Sequence, residues 1–359
     1  MISYLLQKTG YALLTLFGVV TVIFLLFTVL PGDPAKMMLD QNEDPEQLQK
    51  IRAKYGFDQP KSKQYLYYLN DLSPISFHTT DPVSYIFLSK NKYRFKKLFT
   101  IGNTTVAAKY PYLRESFQKT GKKVSNIISE TLPNTMVLAI SAILIAIILG
   151  VFLGIVSAQM RDTWIDKLIQ IVSTLGMSVP SFFSAILFAW LFGYVLHQYT
   201  NLNMTGSLYE VDDFGESRYI QWKNVILPAF VLGIRPLAVV IQLMRNSLLE
   251  VYNQEYIRTA KAKGLSTLKI IKTHALKNAL NPVVTAVSGW FASMLAGAIF
   301  VEYIFGWNGL GKEIIDALNT LDLPVIMGAV LIIATLFVLI NIAVDIIYGW
   351  LDPKIRTSS

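Results

Sequence analysis

Six long apolar runs divide the chain, at roughly 11–30, 132–158, 168–197, 225–247, 283–304 and 325–350. A helix needs about 20 mostly apolar residues to cross bilayer hydrocarbon, and each run reaches that length. The polar stretches between them are short, except for one of about 100 residues after the first run. The first run ends in "VLPGDP" without a small-residue cleavage site, so it reads as a retained span and not a signal peptide.

Composition agrees with the pattern. The chain is 53% hydrophobic and only 16% charged, outside the usual soluble range on both counts. There is no Cys, which excludes disulfides and thiolate metal sites, and the three His (His78, His197, His274) are too scattered to suggest a metal cluster. Net charge is +8, and its meaning depends on which loops carry it. With a cytoplasmic N-terminus, the inside segments 1–10, 159–167, 245–281 and 351–359 hold 12 Lys/Arg against 3 in the short outside loops 198–224 and 306–324. The positive-inside rule therefore favours that orientation. The expected fold is an all-α membrane protein with six transmembrane helices and both termini cytoplasmic. It divides into an N-terminal transmembrane helix (1–30), a large extracytoplasmic first loop (31–130) and a five-helix core (131–359) with a cytoplasmic loop at 245–281.

One motif invites a different reading. "GWNGLGKE" (306–313) fits seven positions of the phosphate-binding G-x-x-x-x-G-K-[ST] loop, but Glu313 stands where the hydroxyl residue belongs. A phosphate loop also follows a strand, whereas an apolar span precedes this one, on the outer side. The glycines are expected to form a turn between spans five and six. The basic, aromatic stretch "YIFLSKNKYRFKKLF" (85–99) would suggest nucleic acid on a cytoplasmic protein. Outside the membrane it reads as a solvated, partly folded insert, with a contact surface for a binding protein or the outer leaflet as the alternative, and no nucleic acid as partner.

The loop 245–281 is the most informative stretch. Seven Lys/Arg accompany Glu250 and Glu255. Tyr256, Ala260 and Ala262, then Leu268, Ile271, Ala275, Leu276 and Ala279, recur at helical spacing. Gly264 suits the left-handed end of a helix and Ser266 the cap of the next. Asn281-Pro282 reads as the cap and first residue of span five. The loop is thus expected to form two short amphipathic helices with a sharp bend. Such a pair could lie against anionic lipid headgroups, or dock a partner that moves it as a rigid body.

At this point a resemblance enters. "YIRTAKAKGL" followed by "HALKNALNPVVT" resembles the cytoplasmic coupling loop of ABC-importer permeases, in the version of the dipeptide, oligopeptide and nickel branch. The general signature runs Glu-Ala-Ala, three residues, Gly, nine residues, Ile-x-Leu-Pro. Here Arg258-Thr259-Ala260 stands at Glu-Ala-Ala, Gly264 at Gly, His274 at Ile, Leu276 at Leu and Lys277 at Pro. These departures are similar to those of the peptide-importer branch. "PGDP" (31–34), residues 45–69, 121–139, "GMSVPSFF" (176–183) and 300–325 are similar to further family stretches in the same order, and residues about 73–110 are not. The family's Pro-Gly-Leu-Gly is Asn308-Gly309-Leu310-Gly311 here, which accounts for the false phosphate loop.

The resemblance implies a permease subunit in a bacterial plasma (inner) membrane, without catalytic, metal or cofactor residues of its own. Implied partners are a second homologous permease, two cytoplasmic ABC ATPase subunits and an extracytoplasmic peptide-binding protein, besides membrane lipids. ATPase coupling would fall to Glu255, Tyr256, Arg258, Thr259, Ala260, Lys263, Gly264 and Leu265. Glu302, Gly309 and Gly311 would form an outer turn, with Glu302 supported by backbone N–H groups of 306–311. Nickel chelates or another small solute are alternatives to peptides, and a secondary transporter is a distant one.

Ionisable residues inside spans are functional hypotheses by default. Arg235 lies ten residues past Val225, about 15 Å along a helix. It either faces the translocation pathway, where it can meet a peptide carboxylate, or is paired inside the protein. Pro180, with Gly176, interrupts the third run, either to line a cavity or as ordinary bending. Asp345, one turn after Asn341, suggests a polar contact between spans.

Overall fold

In a computed structural model of the chain, residues 2–29, 35–36, 44–82, 84–212 and 217–351 are described. The "PGDP" stretch at 31–34 and the side chain of Asp345 lie outside what is described. The contacts divide the chain into two units, residues 1–130 with 314–335, and residues 131–313 with 336–359.

The first unit opens with α1 (Ile2–Val29), followed by α2 (Pro45–Tyr55) and α3 (Lys61–Leu72). Next come β1 (Ile75–Thr79), β2 (Phe95–Ile101) and β3 (Thr104–Lys109), an antiparallel sheet in the order β1-β3-β2. This corrects the all-α expectation. The signal was present in "FKKLFTIGNTTVAAK": two runs with β-branched and aromatic residues flank Gly102-Asn103, and Ile101 pairs with Thr104 across that two-residue turn. The charge of the stretch had concealed it.

Asp71 organises this unit. Its fully buried carboxylate accepts from Tyr85 Oη at 2.6 Å, Tyr93 Oη at 2.9 Å and Arg114 Nε at 3.1 Å. Lys109 Nζ donates to the Asp71 carbonyl, and Lys92 Nζ lies 3.4 Å from the centroid of the Tyr85 ring. A second carboxylate, Asp322, accepts from the Phe117 amide at 3.0 Å and from Ser116 Oγ. Aromatic packing joins α1 to α3: Phe24 meets Tyr65 at 5.1 Å and Tyr68 at 6.0 Å, and Thr21 Oγ1 lies 2.7 Å from Tyr65 Oη.

The second unit takes up most of α4 (Val124–Gln159), then α5 (Trp164–Ser178) and α6 (Ser181–Trp190), which passes through a π-turn at Leu191–Val195 to α7 (His197–Thr200). A small hairpin, β4 (Tyr209–Val211) with β5 (Arg218–Ile220), leads to α8 (Lys223–Val251). After it come α9 (Glu255–Ala262), α10 (Thr267–Ile270), a π-turn at Ile271–Ala275, α11 (Leu276–Ala279) and α12 (Asn281–Phe305). Two last helices, α13 (Leu310–Asn319) and α14 (Leu323–Leu351), run through both units.

Among the described residues, four helices are long and apolar enough to cross a membrane, or six if two bent pairs each count as one span. The first pair, α5 with α6 and its π-turn, bends by 112° around Val179-Pro180. Residues 168–197 are therefore not one straight span. Proline removes a backbone donor and disfavours helix in the residue before it, and Val179 is extended at φ −79°, ψ 132°. The second pair, residues 267–279 and 281–296, bends by 51°. Asn281 is already helical, and Leu280 takes the position expected for the cap.

Helix α8 forms the centre of the second unit, packed by α5, α6 and α12. Helix α4 also approaches it closely through Gly150 and Gly154. A Cβ at Gly150 would lie 2.6 Å from Val240 Cγ1, and one at Gly154 2.7 Å from Met244 Cβ. Small residues four apart let membrane helices approach this closely, where dispersion replaces the missing hydrophobic drive.

The Asp71 cluster sets a pH dependence. Burial first, then neighbouring cations, bring the Lys92 ammonium down to about 8, and burial does the same to Lys109. Burial also raises the hydroxyls of Tyr85, Tyr93 and Tyr112 above their usual range. Between roughly pH 8 and 10 the unfolded chain then holds more protons than the folded one, so stability rises with pH. Above about pH 10 unfolded tyrosines ionise while folded ones do not, and stability falls. The unfolding midpoint of the first unit should climb from pH 7.5 to 9.5 and then drop, with a smaller climb in Lys92→Met. A flat midpoint over this range would contradict the cluster as described.

Candidate functional site

The cytoplasmic loop of the sequence reading folds as a packed elbow. Helix α9 closes with Leu265 N–H donating to Ala260 O at 3.3 Å and Gly264 N–H to Lys261 O at 2.9 Å. This is the paired bonding of a Schellman end, which needs a left-handed residue. Gly264 supplies it at φ +76°. A Cβ there would meet nothing within 4 Å, so the requirement is conformational and not steric. Ser266 stands at the head of α10 without a side-chain capping bond.

Underneath, Ile257 and Ala260 of α9, Ile270 of α10, and Ala275 and Ala279 pack on Met244, Leu248 and Val251 of α8. Tyr256 and Ala262, which the spacing placed on the apolar face, are exposed instead, and Ile257 takes the buried position. Glu255, Arg258, Thr259, Lys263 and Gly264 share the exposed side, Leu265 is half-buried and Ala260 is buried. Arg258 Nη1 pairs with Glu255 Oε1 at 3.1 Å in the open, and Asn278 Nδ2 holds Tyr256 Oη at 2.8 Å. Leu268 is 71% exposed beside them. The elbow is rigid below and presents a mixed basic and apolar surface above.

A charge pair fixes the helix that carries the elbow. Arg245 of α8 donates from Nε to Asp166 Oδ1 at 2.8 Å and from Nη2 to Oδ2 at 2.7 Å. Ser157 Oγ and the Asp162 amide also donate to that carboxylate, at 2.5 and 3.0 Å. The end of α4, the start of α5 and the inner part of α8 are thereby tied at one point. Gln159 Nε2 adds a bond to Tyr252 Oη just beyond α8.

Further along α8, Arg235 is exposed and makes no ion pair or hydrogen bond among the described residues. It lines a cleft with Gly176, Val179 and Ser181 at the α5–α6 bend and with Trp290 and Ser293 of α12. Pro180 sits at that bend, as first turn-setter of α6.

At the other end of α12 a buried carboxylate holds a turn. Glu302 is 0% exposed, and its Oε2 accepts from the amides of Gly311 at 2.7 Å and Lys312 at 3.2 Å, at the N-terminus of α13. A Cβ on Gly309 would lie 2.3 Å from Glu302 Oε2, and one on Gly311 2.9 Å from it, so only glycine lets the backbone close over the carboxylate. Trp307, wholly buried, donates from Nε1 to Asn134 O at 3.1 Å, and Asn134 Nδ2 returns a bond to Asn308 O at 2.7 Å. The backbone amides that resembled a phosphate loop are used inside the protein.

Comparison with known proteins places this arrangement. Residues 150–357 match the family described as binding-protein-dependent transport system inner membrane component, and residues 1–75 match its N-terminal component. The chain belongs to this family. It is similar to the di/tripeptide transport system permease protein DppB of Pseudomonas aeruginosa, 32% identical over 99% of both chains. It is equally similar to the dipeptide transport system permease protein DppB of Alkalihalophilus pseudofirmus, 32% identical over 99% of this chain and 100% of that one. Among solved structures, an inward-facing form of the MetNI methionine ABC transporter aligns with a TM-score of 0.50 at 15% identity, covering 63% of this chain and 96% of that chain. That likeness concerns the fold alone. The chain is thus a multi-pass permease component of an inner-membrane ABC transport system.

Sequence reading of this permease missed the Asp166–Arg245 pair, because the partners are 79 positions apart and each lies near the edge of an apolar run, where a charge is unremarkable. It also missed Gly150 and Gly154, although their spacing in "GVFLG" was a legible close-packing signal. Removing one partner of a shielded ion pair leaves the other uncompensated, at a cost of about 3–5 kcal/mol, while apolar replacement of both is often neutral. Arg245→Ala should therefore lower the melting temperature of the purified permease sharply, and Arg245→Met with Asp166→Leu should recover most of the loss. Equal melting of wild type and Arg245→Ala would show that the pair holds nothing together.

Proposed function

We propose that this permease forms one half of the translocation pathway of an ATP-driven importer for di- or oligopeptides, and that its elbow is the handle by which an ATPase subunit moves it. The observation that carries this reading is the elbow itself. It has a bend fixed by Gly264, an underside packed into α8, and an exposed face bearing Glu255, Tyr256, Arg258, Thr259 and Lys263. A rigid projection transmits displacement, and a flexible one would absorb it. The names of the similar DppB permeases support peptides as the substrate class.

The proposed cycle is alternating access. Closure of two cytoplasmic ATPases draws in the elbows of two permeases, this chain and a homologous second one. The pathway then opens outward to a substrate-loaded binding protein, and hydrolysis resets it. Arg235 is proposed to face that pathway. It is a guanidinium unpaired among the described residues, in the apolar stretch of α8 between Val225 and Ile241, suited to a peptide carboxylate, and the α5–α6 bend at Pro180 gives the cleft its second wall. Glu302, Gly309 and Gly311 are proposed to keep the outer turn rigid while the halves rock.

Two variants test this. Left-handed backbone costs most L-residues about 1–2 kcal/mol, but Asn tolerates it. Gly264→Val should therefore leave ATP hydrolysis uncoupled from uptake, or abolish ATPase docking, while Gly264→Asn stays close to wild type. Wild-type uptake in Gly264→Val would show that the bend is not needed. Losing a charge-assisted hydrogen bond of about 1.5–3 kcal/mol means that Arg235→Gln should raise the half-saturating peptide concentration by about tenfold or more with assembly intact. Unchanged uptake in that variant removes Arg235 from the pathway.

A further inference from the structure

A cavity in the first unit is chemically incomplete. It is a cleft of about 60 Å³, open to the surroundings on one side, between the last turns of α1, helix α3, the segment around Leu113–Phe117 and the first turn of α14. One wall is apolar, built from Phe24, Phe27, Phe57, Phe117 and Met327. The other end carries Lys61, Tyr68 and Arg114.

The Tyr68 hydroxyl is the decisive group. The residue is 3% exposed, yet its Oη has no hydrogen-bond partner among the described residues. Leaving a buried hydroxyl unpaired costs about 1–3 kcal/mol, so such a group calls for a missing partner. Burial pushes its pKa up to about 12, which keeps it a donor. Arg114 points to the same need. Its Nε is used by Asp71, but its two terminal nitrogens make no hydrogen bond among the described residues. The charge balance has the same sign. Within the cluster behind the cavity, the Asp71 and Glu115 carboxylates stand against three cations, Lys92, Lys109 and Arg114, and Lys61 adds a fourth at the rim. What the polar end lacks is an anion that accepts several hydrogen bonds.

The apolar wall says what the anion is attached to. The apolar stretch of α1 ends at Thr28 and that of α14 begins at Leu323, and both residues line the cavity. The cavity therefore lies where the apolar stretches give way to polar sequence, with Phe24, Phe27 and Met327 on the side of the spans and Lys61 on the other. A small inorganic anion would leave that wall unfilled.

We propose that this cavity binds one anionic phospholipid, with its phosphate held by Tyr68 Oη, Arg114 and Lys61 and the upper part of an acyl chain lying along Phe24, Phe27 and Met327. The bound lipid joins α1, α3 and the head of α14, which are otherwise linked by aromatic contacts and the Tyr65–Thr21 hydrogen bond.

The test uses the full-length permease in detergent, with native mass spectrometry after addition of phosphatidylglycerol, phosphatidylcholine or inorganic phosphate. Wild type should retain one phosphatidylglycerol at least tenfold more than phosphatidylcholine. Tyr68→Phe removes only the unpaired hydroxyl, and Lys61→Gln alters only the exposed rim. Each should cut that retention about fivefold while the lipid-free protein melts no lower than wild type. Equal retention of the two lipids, or retention unchanged in both variants, would overturn the proposal. Displacement of the lipid by millimolar phosphate alone would show a free-anion site and overturn it equally.

Discussion

Arg245 and Asp166 meet through two parallel hydrogen bonds at the point where α4 turns into α5 and where α8 leaves the apolar region. Neither group is tolerable alone in a poorly hydrated position, since an unpaired charge there is costly. Once paired, and with Ser157 and the Asp162 amide completing the carboxylate, they tie the end of α4, the start of α5 and the inner part of α8 into one joint. The elbow hangs directly from that joint, because Met244, Leu248 and Val251 on the same helix form its underside. Arg235 sits ten residues back along α8, about 15 Å away at helical rise. In the proposed mechanism one continuous helix therefore connects the ATPase handle, the joint and the pathway residue.

The same economy of polar groups governs the opposite end of α12. In a membrane protein the backbone must satisfy itself wherever water is absent. The carboxylate of Glu302 meets two amides at the start of α13, and Trp307 and Asn134 exchange bonds across the turn. The clustered glycines permit the approach, and a side chain on Gly309 would occupy the space of the carboxylate.

The apolar runs were legible as helices because stretches of this length have few alternatives in water, and four of them stand among the described residues as single helices long enough to cross a membrane. Gly264 was legible for a stereochemical reason, and φ +76° is what a Schellman end asks of it. Pro180 announced an interruption, but its 112° bend depends on how α6 packs against α8 and α12, which no local signal encodes. The elbow's buried face was misread because Tyr256 weighs more than Ile257 by size, while packing against α8 selects Ile257. The β-sheet was hidden by its lysines. On a strand exposed along most of its length they cost nothing, and the alternation around Gly102-Asn103 was the better guide. Contacts such as Asp71 with Arg114 unite residues 43 positions apart and emerge only with the fold.

The most direct test of the account asks what touches the elbow. The chain has no Cys, so a single cysteine at Thr259 can carry a photo-crosslinker without background. In native membranes this probe should capture a peripheral cytoplasmic ATPase subunit, and capture should fall when Gly264 is replaced by Val. Capture of lipid alone, or labelling of the cysteine by an impermeant reagent from the outer face, would contradict the elbow as the handle of the transporter.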